Sequence, residues 1–275
     1  MKYALDFLDV DIRPGKPRSN GLTIVRDRVR GLAEQQSFLE TYAPFVDFAK
    51  ISNLSPRFYP EELIFRKIAL YRDFDVQPFF GGIVFENAYA QDRLEAFYDY
   101  LPGSGVTAIE LSDNIVSMPQ VDMLCAIERC CALDITVFVE WGEKYPTYPL
   151  DPDKAETEIR ARLASGASKI VIERAEIDLL CSNDAEAWRL DQLIAQDFSP
   201  QIILEVESQP QMVWAIQRYG PDVNLGPNID FELVKWLEPA RAGVGRDVGH
   251  RTIENKAGSG GVHSRLEPST GKSGH

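Results

Sequence analysis

Histidine is nearly missing from this chain. The only three, His250, His263 and His275, fall in or beside a polar C-terminal stretch. Ser-His-Asp and Cys-His hydrolase triads, histidine-rich zinc sites and histidine general bases are thereby excluded from the main body. Acid–base chemistry is left to carboxylates, lysine, tyrosine or cysteine. Cysteine is also sparse: Cys125, Cys130, Cys131 and Cys181 show no CxxC spacing. Three of them share one apolar, helical stretch, where buried reduced thiols are expected. Positive charge is in deficit, with 29 Lys and Arg against 42 Asp and Glu and a net charge of −13. Such a surface repels phosphate backbones and anionic lipid headgroups, so neither nucleic acid nor a membrane is expected as a partner. No apolar run approaches the roughly 20 residues that span a bilayer, and a soluble, cytoplasmic protein is expected. Whether the chain forms a homo-oligomer is not decided by its residues.

Eight short apolar runs, rich in β-branched residues, alternate with helical patterns: 22–27, 45–52, 76–82, 108–113, 135–142, 169–176, 202–208 and 223–227. Helices are predicted near 30–41, 60–72, 88–101, 119–133, 152–165, 184–197, 209–219 and 230–241. A strand recurs about every 20 to 34 residues, the period that right-handed βα crossovers impose on a parallel sheet. Eight such units predict a single-domain α/β fold, a (β/α)8 TIM barrel over residues 1–250. A doubly wound open sheet is the alternative, but no GxGxxG turn follows the first strand. Ser182-Asn183-Asp184 reads as a cap for the sixth helix, Pro60-Glu61-Glu62 as a first turn, and Gly166 and Gly220 as left-handed helix ends. Residues 251–275 turn to Gly, Ser, Lys and His and are expected to form a disordered polar tail.

In this fold ligands sit over the C-terminal strand ends. The charged residues expected there are Asp27, Lys50, Glu86, Glu110, Asp113, Glu140, Lys144, Glu173, Glu176, Glu205 and Glu207, with Asn224 at strand eight. Glu140 follows Val137-Phe138-Val139, and Glu173 follows Ile170-Val171-Ile172. Bare carboxylates in such strands are costly to bury, and a hard cation such as Mg2+ compensates them well. The plainer alternative is that these acids only pair with Lys50, Arg18 or Lys144. Lys16-Pro17-Arg18 is a basic patch suited to a phosphate or carboxylate, or else an ordinary solvated loop. Gly81-Gly82 admits close backbone approach, though glycines also serve plain turns.

Several ordered segments resemble the phosphosulfolactate synthase family over roughly residues 14 to 250. They are Lys16-Pro17-Arg18 with Gly21-Leu22-Thr23, Asp47-Phe48-Ala49-Lys50, Gly81-Gly82 with Phe85-Glu86, Ile109-Glu110-Leu111-Ser112-Asp113, Glu140-Trp141-Gly142-Glu143-Lys144, Val171-Ile172-Glu173 and Asn224-Leu225-Gly226. The resemblance implies an Mg2+-assisted addition of sulfite to C3 of phosphoenolpyruvate, giving (2R)-phospho-3-sulfolactate. It implies Lys144 as the group that protonates C2, its pKa lowered by nearby cations, with Glu140 beside it. Lys16, Arg18, Lys50, Asn224 and Arg246 are implied to hold the anionic substrates, and Glu110, Glu173 and Glu205 to hold the metal. Ala175 stands where the family has an arginine, and Arg174 precedes it by one place. In an extended chain that displacement turns the guanidinium to the opposite face. Two other readings stay open: a barrel enzyme adding another nucleophile to an enol or enol-phosphate acceptor, and a non-catalytic, stress-associated relative.

Overall fold

The computed structural model describes residues 4–253. Eight parallel strands close into one barrel in sequence order: β1 (Thr23–Asp27), β2 (Phe48–Ile51), β3 (Gln77–Phe80), β4 (Ala108–Leu111), β5 (Thr136–Trp141), β6 (Lys169–Ile172), β7 (Ile202–Leu204) and β8 (Leu225–Ile229). The surrounding helices are α1 (Leu32–Tyr42), α2 (Glu61–Asp73), α3 (Gly82–Ala90), α4 (Leu94–Ser104), α5 (Gln120–Cys131), α6 (Pro152–Ala164), α7 (Arg174–Ser182), α8 (Trp188–Ile194), α9 (Gln209–Tyr219) and α10 (Phe231–Arg241). The predicted single-domain barrel is thus what forms. Glu61 and Glu62 lie in the first turn of α2 as expected, with Pro60 as its N-cap; Gly166 and Gly220 have positive φ, but at Gly220 ψ is 175°, outside the left-handed helical region.

Side chains alternate across each strand, and this period of two sorts the core into two shells. Pointing inward, Ile24, Phe79, Ala108, Phe138, Val171 and Ile203 form a dry plug against which Phe48 packs. Phe138 meets Phe79 and Phe48 edge-on, with centroids 5.2 and 5.0 Å away. Each fully buried Ile, Val or Phe of this plug stabilises the fold by roughly 1.5–3 kcal/mol. Two residues further along the same strands the inward set turns polar: Arg26, Lys50, Gly81, Glu110, Glu140, Glu173 and Glu205. The plug is therefore the floor of a charged mouth at the C-terminal strand ends.

Several predicted boundaries are corrected. The third strand stops at Phe80 and its helix is split, because Gly81-Gly82 opens α3 and the chain breaks at Asp92, where φ is +54°. A Cβ on Gly82 would lie 2.3 Å from Ser112 Oγ, so only glycine allows β3 to turn this close to β4. The sixth strand ends at Ile172 rather than continuing to 176. Glu173 caps the next helix by accepting from Ala175 N (3.4 Å), and α7 and α8 replace the single predicted helix, with no side-chain cap from Asn183. Strand eight begins at Leu225 and passes through Pro227 to Ile229. Of the expected buried thiols only Cys130 is fully buried, and Cys125 is exposed. Residues 251–253 are helical, and the rest of the expected tail lies outside the described residues. No helix among the described residues is long and apolar enough to cross a membrane.

Candidate active site

Four buried carboxylates and two lysines converge above the plug. Lys50 on β2 places Nζ 2.7 Å from Glu110 Oε1 on β4, and the same oxygen accepts Gly82 N (2.9 Å). Glu110 Oε2 is buried without a partner. Lys144, in the loop after β5, places Nζ 2.6 Å from Glu140 Oε1 and in contact with Glu173 Oε2. Glu205, just past β7, accepts Arg174 N (2.8 Å) on one oxygen and the Asn228 amide on the other. Asn114 Nδ2 donates to Glu140 Oε1 (2.7 Å). Glu140, Glu173 and Glu205 each bring a carboxylate oxygen within 4.8 Å of the others.

This arrangement carries more negative than positive charge, and the protonation equilibria register it. Burial, followed by the neighbouring glutamates, raises the pKa of Glu173 and Glu205. Burial raises Glu110 as well, although Lys50 opposes it. For Glu140 burial acts upward, but the hydrogen bond with Glu173 and the charges of Lys50 and Lys144 outweigh it, and its pKa falls. One proton therefore resides on the Glu140–Glu173 pair, mainly at Glu173. Lys144 corrects the expectation of a lowered pKa. Burial pulls it down, but Glu140, Glu205 and Glu173 together raise it, so the ammonium is strongly held.

The donors suit a hard divalent cation. They are all oxygens, four carboxyl groups face two lysines, and Glu110 Oε2 awaits a partner. Glu140, Glu173 and Glu205 could hold such an ion, with Glu110 adjoining.

Supporting residues fix the rim. Arg162 on α6 donates to Glu140 O (2.8 Å) and pairs with Asp113 (3.2 Å), locking the end of β5. Glu86, 1% exposed, accepts the backbone N–H groups of Ile115 and Val116 (2.7 Å each) and orders the loop carrying Asn114. Arg26 reaches Asp230 (3.3 Å) and Glu207 (3.4 Å), and Arg174 pairs with Glu207 (2.9 Å). The chain at Arg174 is helical, not extended, so its guanidinium reaches the rim, against expectation. Asp27 instead faces outward, fully buried against Lys67 Nζ (2.8 Å) and the Tyr71 hydroxyl (2.7 Å) on α2. Sequence reasoning missed Asn114, Asn228 and Arg26. Arg26 was within reach, standing two places past inward-facing Ile24; Asn114 sits in a loop with no periodic signal.

The expected substrate-binding set is divided. Lys50 is at the mouth, but Lys16, Arg18 and Asn224 are at the opposite end of the barrel. Lys16 Nζ donates to Val46 O (3.1 Å), Arg18 pairs with Asp47 (3.0 Å), and Asn224 accepts Leu22 N (3.0 Å) and donates to Ile202 O (2.8 Å). All three precede a parallel strand, and the chain enters such a strand at the end away from the mouth. Arg246 follows α10 and lines a cavity on the outer wall beside α9 and α10.

A family model described as (2R)-phospho-3-sulfolactate synthase matches residues 11–247. The chain belongs to this family. Among curated phosphosulfolactate synthases, that of Methanothermobacter thermautotrophicus is 32% identical over 255 residues, covering 89% of this chain and 97% of that enzyme. The Bacillus subtilis enzyme is 26% identical over 251 residues, covering 88% and 97%. Among solved structures, a putative fructose-1,6-bisphosphate aldolase from Coccidioides immitis shares the fold, with a TM-score of 0.52, 10% identity and coverage of 90% and 92%. As a phosphosulfolactate synthase family member, the chain is an enzyme-family barrel whose mouth holds a buried acidic trio able to take a metal.

Proposed function

We propose that the protein adds sulfite to C3 of phosphoenolpyruvate to give (2R)-phospho-3-sulfolactate, assisted by Mg2+ at the mouth. The observation that carries this reading is Lys144 bridging Glu140 and Glu173 directly beside Glu205. A bound divalent cation supplies positive charge against the substrate carboxylate as it becomes enolate-like. Sulfur attacks C3, the C3–S bond forms, and the π electrons move to C2. Lys144 Nζ delivers the proton to C2, and Glu140, in contact with that nitrogen, orients it. Lys50, Arg26 and Arg174 are the cations available to the phosphate and sulfite. A second reading, another nucleophile on the same acceptor, draws support from Lys16 and Arg18, which lie at the far end and leave the mouth fewer cations than expected.

Incubating the purified protein with phosphoenolpyruvate, sulfite and Mg2+, with phosphorus NMR as readout, tests the reading. Conversion to a sulfonated phosphate ester is expected. No conversion, with phosphoenolpyruvate still raising the melting temperature, moves the assignment to the second reading; neither response removes both.

A further inference from the structure

Glu207 lies between β7 and α9, two places past Glu205, and its carboxylate bridges two guanidinium groups at the mouth. Oε1 accepts from Arg174 Nη1 (2.9 Å), at the start of α7, and Oε2 accepts from Arg26 Nη1 (3.4 Å), on β1. Two arginines converging on one acid is the arrangement that grips a phosphate or another oxyanion. Here a side chain of the protein itself fills the grip.

Exposure and the remaining contacts decide which of the three groups can move. Arg26 is 12% exposed and is held by Asp230, which accepts from its Nε and Nη2 (3.3 Å each). Arg174 has a second acid in Asp178 (3.4 Å). Neither guanidinium is stranded without a counter-charge when Glu207 departs. Glu207 is 34% exposed and Arg174 38%, and ion pairs this open to water are weak. The backbone of Glu207 is fixed, because Gln211 Oε1 accepts from the N–H groups of Glu207 (2.9 Å) and Ser208 (3.0 Å). Its side chain can therefore turn into solvent by rotation about its own bonds, with no movement of the chain.

We propose that Glu207 is an internal competitor of the substrate oxyanion, a carboxylate that keeps Arg26 and Arg174 in position and yields them to the phosphate of phosphoenolpyruvate or to sulfite. The incoming oxyanion takes over the two Nη1 donors, and the displaced carboxylate turns out to water. Glu207 thus sets the affinity of the mouth for its anions and takes no part in bond making. This assignment rests on the reading above that the mouth receives these two substrates.

Calorimetric titration of the full chain with phosphoenolpyruvate and with sulfite, in Mg2+ at matched ionic strength, tests it alongside steady-state rates. Glu207→Gln should bind one of the two anions roughly three- to tenfold more tightly than the wild type, with the KM of that substrate lowered in step. The anion that tightens is the one that takes the place of Glu207, and either supports the assignment. Glu232→Gln removes the same charge from the first turn of α10, where Glu232 pairs with Arg30 (2.8 Å), and should leave both affinities unchanged. In the Arg174→Gln background the gain from Glu207→Gln should shrink, since the competitor has already lost a partner. Equal affinities in the wild type and Glu207→Gln, an equal gain in Glu232→Gln, or no binding of either anion by any of these proteins overturns it. The expected pattern of binding without turnover keeps Glu207 as assigned and removes only the sulfite addition.

Discussion

Glu140 and Glu173 face one another across the ammonium of Lys144, which lies 2.6 Å from the first and touches the second. Their pKa values are driven apart, Glu140 down and Glu173 up, so the pair keeps a proton that a bound cation must expel.

Cation binding is therefore predicted to release protons. Burial and then Glu140 raise Glu173 from 4.5 to about 10. The stability it contributes is present in full below pH 4.5 and fades as pH rises toward about 10. Over the same interval cation affinity rises, by at most about tenfold per pH unit for one expelled proton. Calorimetry in buffers of different ionisation enthalpy measures the release; identical apparent enthalpies in all buffers contradict it.

Lys144→Ala is predicted to lower turnover by about 10²- to 10⁴-fold, the usual weight of a positioned proton donor. Mn2+ binding should persist or tighten in the same variant, because an ammonium competing for Glu140 and Glu173 is gone. Loss of both together would make Lys144 a structural prop instead.

Arg18→Ala separates the two ends of the barrel. The Arg18 and Asp47 side chains are each 5% exposed, and breaking a buried pair from one side costs about 3–5 kcal/mol. Denaturant midpoints should fall accordingly, while KM for phosphoenolpyruvate in the folded variant stays within about twofold, since differences below about 0.4 kcal/mol lie within the scatter of a distant site. A large KM increase would return Arg18 to the substrate site.

Gly142→Ala probes the backbone beneath the cluster. Gly142 has φ +123°, and a Cβ there would stand 2.9 Å from Glu173 Cβ and Glu176 Cγ. Strain and overpacking of this kind cost about 1–3 kcal/mol each. Lower thermal stability with weakened Mn2+ binding is expected; a neutral substitution would show that the β5 loop adapts freely.

The barrel was legible because eight β-branched runs recur at the βα period, and the metal-friendly acids because each stands two places past an inward apolar residue, as Glu140 does past Phe138. Lys16 and Arg18 precede β1, and Asn224 precedes β8, so topology puts all three away from the mouth. A residue just before a parallel strand enters at the closed end, whatever its charge suggests. The helical start at Arg174 escaped notice because Val171-Ile172-Glu173 reads as continuing strand, and only the tertiary contact of Glu205 with Arg174 N fixes the turn. Asn114 depends on a loop ordered by Glu86, a relationship no local pattern encodes.

Manganese binding tests the central claim most directly. Electron paramagnetic resonance titration of the wild type should count one tightly held Mn2+ per chain, and the Glu140→Gln/Glu173→Gln double variant, which removes both ionisable carboxyl groups but keeps their shape, should hold none. An unchanged ion count in the double variant, or no bound ion in the wild type at millimolar Mn2+, would contradict the account.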